Sequence, residues 1–524
     1  MHDKITDPMA EASCHVHRRV KPVQHHEGES RSVNSVRRCR RLAGGTSLTG
    51  TFDLETLRRR LESAPERPRL KPVGLQRVVV GDGALEALPD VVAGLVTTQP
   101  SSGPVALLSD LTPKSRGSED LLGLVTDLVT SRFGVRHVFA GTADRGTHAD
   151  EQTLTNASGA CAGAACLVAV GSGTVADIGK VLAAAHGLRY VIVQTADSVN
   201  GFADDRSVLL VKGVKRTTPS TWADVLIADT DVLVGAPVEM NVSGLADLAA
   251  MFTAPADWYM ATVLGIDDTY SPTVVSLARE QGPALLETAR LVRDADRTAL
   301  NQLAEILTLS GISMGIAGTT APCSGMEHAV SHLLEMAAVN QAGAAALHGL
   351  QVGVSSVVAA LLWQRVLEEL ADGGMSRIQV PDAADAESAV RFAFAGVDPS
   401  GNMGEECWRE YAEKLGRWSR SGERIEMAAR QWPSHDRFLR GLLAGPEALV
   451  ASLRVAGAPV RFCELTPFVE DDVARWAVAS CHLMRDRFSV ADMALFLGIW
   501  DESFVEAILA DTDRLGALAG AQPA

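Results

Sequence analysis

The sequence predicts a two-part chain: an α/β half built on a parallel sheet, followed by an all-helical half. Between about residues 70 and 236, short apolar runs alternate with longer segments of helical periodicity, the pattern left by parallel strands buried on both faces. Beyond about Ala236 strand signals fade, and Ala, Leu, Glu and Met recur at 3.6-type spacing. At 524 residues, with 47% hydrophobic and 21% charged content, there is enough chain for two packed parts and appendages.

The elements follow in order. Residues 1 to about 45 are rich in His, Arg, Ser and Gly, with His25-His26 and Arg37-Arg38-Cys39-Arg40-Arg41, and residues 1–69 read as a disordered basic extension. A solvated tail or an arm for an anionic partner would both look like this. Strands are expected at 76–80, 105–108, 166–170, 190–193 and 225–228, making 70–236 a nucleotide-binding α/β domain. Residues 237–524 form the helical domain, clearest at 303–311 and 344–370, with Pro381 and residues 397–402 as loops.

Composition excludes several classes. A net charge of −16 argues against a nucleic-acid binder, because phosphate backbones attract basic faces. The eight cysteines form no CxxC pair, so reduced, mostly buried thiols are expected rather than a disulfide framework or a cysteine metal site. No uninterrupted apolar run reaches the roughly 18 residues that span a bilayer, and no apolar secretory core is present. The expected location is the cytoplasm.

Two constellations carry chemistry. Val168-Ala169-Val170-Gly171-Ser172-Gly173-Thr174-Val175-Ala176-Asp177-Ile178-Gly179-Lys180 reads as strand, glycine turn and helix. Such a turn brings backbone N–H groups and a helix N-terminus close to a pyrophosphate, although many such turns merely enter a helix. One strand earlier, Asp110 is placed to accept a ribose hydroxyl and would favour NAD over NADP; a plain turn aspartate would look the same. In the helical half, Asp247, His328 and His348 offer a carboxylate and two imidazoles, a set that leaves a divalent ion an open position for substrate. Spacing alone does not place these three on one ion.

The order of motifs is more specific. The GxGxxxDxxK turn from Gly171 to Lys180, Thr195-Ala196-Asp197-Ser198-Val199-Asn200-Gly201-Phe202, Gly213-Val214-Lys215-Arg216-Thr217, Gly325-Met326-Glu327-His328 and His348-Gly349-Leu350-Gln351 occur in sequence, with Met484-Arg485-Asp486-Arg487-Phe488 near the end. Over roughly residues 70–515 the chain resembles the glycerol-1-phosphate dehydrogenase family of the iron-containing alcohol dehydrogenase and dehydroquinate synthase-like superfamily. The resemblance implies that fold, NAD or NADP, and one divalent metal on Asp247, His328 and His348: zinc first, with iron or nickel as alternatives. It places Gly171, Ser172, Gly173, Thr174, Val175, Ala176 and Asp177 on the pyrophosphate side, Thr195 and Ser198 nearer the nicotinamide, and His332 with Asn200 and Asp247 at the reacting centre. It also implies a small phosphorylated or polyol substrate and a role in phospholipid metabolism, while two domains with an apolar helical half suggest a homo-oligomer.

The chain departs from this pattern on the cofactor and substrate side. Asn200 replaces an aspartate, so it keeps hydrogen bonding but cannot accept a proton as a base. Asp204 replaces a serine and would set a carboxylate near the cofactor, Met251 replaces a lysine, and Gln194 replaces a proline. The implied reaction is reversible hydride transfer, with dihydroxyacetone phosphate and glycerol 1-phosphate as the default pair and His332 or water relaying a proton. Lys212, Lys215 and Arg216 are phosphate candidates, or else a solvated hairpin. Another polyol, phosphonate or secondary-metabolite carbonyl, or a degenerate nucleotide- or metal-binding regulatory protein, remains as an alternative.

Overall fold

Apolar strands build the sheet because each can bury both faces. β6 (Cys166–Gly171), β2 (Val105–Ser109), β7 (Tyr190–Gln194) and β10 (Val225–Asp229) are buried at every residue. With β1 (Arg77–Gly81) and the edge strand β5 (Val135–Phe139) they form a six-stranded sheet ordered β1-β10-β7-β6-β2-β5, every neighbouring pair parallel. This computed structural model describes residues 53–98, 103–142, 146–341 and 343–520.

The period of two sorts side chains into separate cores. Leu167, Ala169, Ile192, Leu226 and Ala228 face one core, while Val168, Val170, Val191, Val193 and Ile227 face the other. Helices Leu88–Val96 and Leu121–Thr130 cover the second face. The first face shares a single apolar cluster with the helical half, so that cluster runs across residue 236 without a break.

The connection after β2 leads outward to β5, whereas the one after β6 leads the other way to β7. The loops after β2 and β6 therefore diverge at the carboxyl edge of the sheet, leaving a crevice between them. Asp110 stands on one side of that crevice and Gly171 to Gly173 on the other.

After Asp229 all described regular structure is helical, including Val238–Asp247, Arg297–Ala317, Met326–Asn340 and His348–Ala371. The 24-residue His348–Ala371 helix is long and apolar enough, by length and composition, to cross a membrane, although polar residues interrupt its apolar runs. Its most apolar window is 89% buried inside the protein, so its character is that of a central core helix. The six described cysteines are free, and all but Cys463 are buried.

Two elements differ from the sequence reading. Residues 54–62, assigned to a disordered extension, form the Leu54–Glu62 helix, whose Leu54, Leu57 and Leu61 are buried. The surrounding arginines hide that stripe in the composition. Residues 1–52 lie outside the described residues. β5 escaped notice because an edge strand of sequence VRHVF buries only Val138. The hairpin offered as the alternative for Lys212, Lys215 and Arg216 does form, β8 (Arg206–Val211) with β9 (Val214–Pro219), closed by Lys212 and Gly213, both at positive φ. A minor hairpin, β3 (Ser115–Arg116) with β4 (Glu119–Asp120), completes the strands.

Candidate active site

β6 delivers the chain to Ser172, and the Gly173–His186 helix begins there without a side-chain cap. Its first N–H groups are thus left for a ligand or water. A Cβ on Gly173 would lie 2.7 Å from Val199 Cγ2, so glycine is what lets the turn sit against the 195–201 loop. Gly173, Thr174 and Asp177 line a cleft of about 170 Å³, whereas the side chains of Val175 and Ala176 turn into the core.

The same cleft is lined by His328, His332 and His348. Asp247 ends its helix with Oδ1 3.3 Å from His328 Nε2 and 3.9 Å from His348 Nε2. The far nitrogens are held: His328 Nδ1 lies 3.1 Å from Glu327 Oε1, and His348 Nδ1 lies 3.0 Å from Ser331 Oγ. Anchoring Nδ1 fixes the rings so that each Nε2 faces the carboxylate. Asp247 Oδ2 accepts the Asn200 backbone N–H at 2.9 Å, while its buried Oδ1 has no hydrogen-bond partner. An orphaned carboxylate oxygen facing two anchored imidazoles fits a divalent ion, and all three ligand atoms lie within 4.8 Å of one another.

A second trio, His332, Glu335 and His348, is equally compact, but Lys215 already ion-pairs with Glu335. Burial works against the Glu335 charge, yet Lys215 and His348 outweigh it and hold the carboxyl down at about 2. His328 goes the other way: burial opposes its charge, but Asp247 and Glu327 raise it to about 9. His332 is pushed well below its ordinary value, first by burial and then by its neighbours His348, Lys215, Arg485 and His328.

Asp204 does not present a free charge to the cleft. It is buried, and its Oδ1 accepts from Lys180 Nζ at 2.8 Å, while Asp177 Oδ1 lies 3.2 Å from the same nitrogen. Burial raises the Asp204 carboxyl to about 6 despite Lys180. Asp110, across the crevice, is bound by Lys114 Nζ and by the Thr112 N–H at 3.0 Å, and it does not line the cleft. Thr195 and Ser198 are buried beside the turn: Thr195 donates its N–H to the Gly171 carbonyl, and the Ser198 carbonyl accepts from Ser243. Asn200 lines the cleft with its Nδ2 unpartnered.

Beyond His332, Lys215 and Thr320 the cleft meets a larger cavity of about 460 Å³. Of the three cations singled out for phosphate, Lys212 is at the hairpin tip, Lys215 holds Glu335, and Arg216 lies 3.4 Å from Glu406 and 3.3 Å from Glu410. Lys215 and Arg216 line the cavity all the same, with Arg206, Glu410, Glu413 and Asp486, and so do Arg485 and Arg487, to which the sequence reading gave no role. The Met484–Phe488 motif was their only signal.

Known proteins resemble this chain in sequence and in fold. The family model for iron-containing alcohol dehydrogenase matches residues 79–237. A glycerol-1-phosphate dehydrogenase [NAD(P)+] of Bacillus licheniformis is 28% identical over 421 residues, 80% of this chain and 88% of that protein. One from Methanothermobacter thermautotrophicus is 32% identical over 242 residues, 45% of this chain and 64% of that protein. Among solved structures, a protein of Sinorhizobium meliloti 1021 carrying a glycerol dehydrogenase name superposes with TM-score 0.52 at 16% identity, over 86% of this chain and 98% of its own. One of Ralstonia eutropha JMP134 carrying an alcohol dehydrogenase name gives 0.51 at 18%, over 83% and 95%. These two speak for the fold, an α/β parallel sheet followed by an all-helical half. The chain is thus similar over residues 79–237 to the iron-containing alcohol dehydrogenase family, and over most of its length to a glycerol-1-phosphate dehydrogenase.

Proposed function

We propose that this protein is a metal-dependent, NAD(P)-linked dehydrogenase that interconverts a small carbonyl and its alcohol, with dihydroxyacetone phosphate and glycerol 1-phosphate as the first pair to test. The observation that carries this reading is one cleft lined both by the glycine turn (Gly173, Thr174, Asp177) and by the imidazoles facing Asp247 (His328, His348). Asp247, His328 and His348 would hold a divalent ion, zinc in the first instance, which would supply Lewis acidity when bound. The turn holds the cofactor's pyrophosphate on backbone N–H groups. Asn200 donates a hydrogen bond from its unpartnered Nδ2, and His332, kept neutral by its surroundings, takes up or returns the proton.

The rival reading, a degenerate binding protein, drew its support from a carboxylate at position 204 beside the cofactor. Lys180 neutralises that carboxylate locally, which weakens the case. A different polyol or phosphonate carbonyl stays in play as substrate, because the arginine-lined cavity exceeds what the cleft alone offers.

The test is oxidation of NADH and NADPH by the metal-loaded protein with dihydroxyacetone phosphate, beside Asp247→Ala and His328→Ala. Turnover lost in both variants supports the proposal. Bound metal and NADH without turnover redirect the search to other carbonyls, and failure to bind either one ends the enzyme reading.

A further inference from the structure

Arg485 and Arg487 enter the 460 Å³ cavity side by side from one loop, residues 481–489. Their hydrogen bonds go to neutral oxygens. Arg485 donates to Ser324 Oγ at 3.4 Å and to the Gly325 carbonyl, and Arg487 donates to Thr320 Oγ1 at 2.6 Å and to the Ser324 carbonyl. Among the described residues, neither guanidinium has a carboxylate within ion-pair distance, although most of the described arginines do. Each guanidinium carries five N–H donors, more than these bonds use. Asp486 between them is taken by Arg417, and Glu410 and Glu413 on the cavity wall stay beyond ion-pair distance of both, so the two adjacent, half-buried cations keep spare donors, and a tetrahedral oxyanion matches the fork of each.

The loop is gripped from behind. Lys414 and Asp492 are buried and pair at 2.7 Å, with side chains 1% and 0% exposed. Lys414 Nζ also donates to the carbonyls of His482 and, at 3.2 Å, Arg487. Asp492 Oδ2 accepts from Ser489, from its N–H at 2.8 Å and its Oγ at 3.1 Å. One buried ion pair thus fixes the loop at 482, 487 and 489, on both sides of Arg485. A well-packed apolar pair would often stabilise such a spot as well as a buried ion pair does, so the bonds to the loop carry the distinction.

We propose that the 481–489 loop is an oxyanion receptor in which Arg485 and Arg487 take the phosphate or phosphonate end of the substrate, and that Lys414 and Asp492 are positioning residues which preset the two arginines. The proposal rests on the dehydrogenase reading only in calling the anion the substrate's.

The test is calorimetric binding of inorganic phosphate and of methylphosphonate to the full chain, with NADH binding as a check that each variant is folded. Arg487→Met should weaken phosphate binding by about tenfold or more, the usual scale for losing a charge-assisted hydrogen bond in a partly buried site. Lys414→Met should weaken it by a smaller factor while NADH affinity stays at the wild-type value. If Lys414→Met fails to bind NADH, Asp492→Asn, which keeps an oxygen for Ser489, gives the same reading. Wild-type phosphate affinity in Arg487→Met, or no phosphate binding by the wild type, overturns the receptor. A folded Lys414 or Asp492 variant with unchanged phosphate affinity overturns the positioning role. Phosphate binding that obeys these expectations in a protein inert toward dihydroxyacetone phosphate leaves the receptor standing and removes only the proposed substrate.

Discussion

Lys180 Nζ lies 2.8 Å from Asp204 Oδ1, with both side chains under 5% exposed, and the same nitrogen donates to the carbonyls of Gly201 and Arg206. The lysine that closes the GxGxxxDxxK turn therefore ties the cofactor helix to the loop after Asn200. The carboxylate introduced at position 204 becomes its counter-ion.

Removing one partner of a buried pair leaves an uncompensated charge, so Lys180→Met should cost about 3–5 kcal/mol in a urea melt and weaken NADH binding. A melt within about 1 kcal/mol of wild type would show that water reaches Asp204 and Asp177 once the lysine is gone.

His328 in the metal-free protein holds a proton up to about pH 9, because Asp247 and Glu327 more than offset its burial. Metal must displace that proton, so apparent metal affinity should rise about tenfold per pH unit from neutrality and level off near pH 9. Glu327→Gln should move the plateau to lower pH and weaken the limiting affinity by about tenfold. Competition with a chromophoric chelator across pH reads both, and a flat profile contradicts the charge arrangement.

His332 faces the cleft one helical turn beyond His328. His332→Ala should lower kcat by about a hundredfold with NADH affinity and metal content unchanged. Unaltered turnover would assign the proton to water.

Gly349 donates its N–H to Ser243 Oγ at 3.1 Å, and a Cβ there would overlap the Ser243 carbonyl oxygen. Gly349→Ala should force apart the helices that carry Asp247 and His348, costing about 1–3 kcal/mol and lowering the metal content of purified protein. Full metal occupancy in a stable variant would mean that the helices can slide without opening the site.

Much of this arrangement was legible in the sequence, for identifiable reasons. β6 and β2 announce themselves because strands buried on both faces are unbroken apolar runs. The order of Asp247, His328 and His348 among neighbouring motifs pointed to one site, and their atoms do converge. What stayed hidden depends on contacts distant in sequence. Asp204 reads as a threat to cofactor binding until Lys180, 24 residues away, is seen beside it. Lys215 and Arg216 look like free cations until Glu335, Glu406 and Glu410 fold against them. Arg485 and Arg487 reach their partners across 160 residues or more, beyond any local pattern.

Asp257 is buried and engages three places at once: Oδ2 accepts the Met326 N–H at 2.9 Å, and Oδ1 accepts the Val490 N–H at 3.0 Å and Trp363 Nε1 at 3.1 Å. Met326 opens the helix of His328, Trp363 belongs to the helix of His348, and Val490 follows the arginine loop. Until residues near 490 have been synthesised, this acid lacks one of its three donors. One buried carboxyl group therefore fastens the segment at 490 to both helices that carry the candidate imidazoles, so a change as far along the chain as Val490 is felt where His328 and His348 are seated.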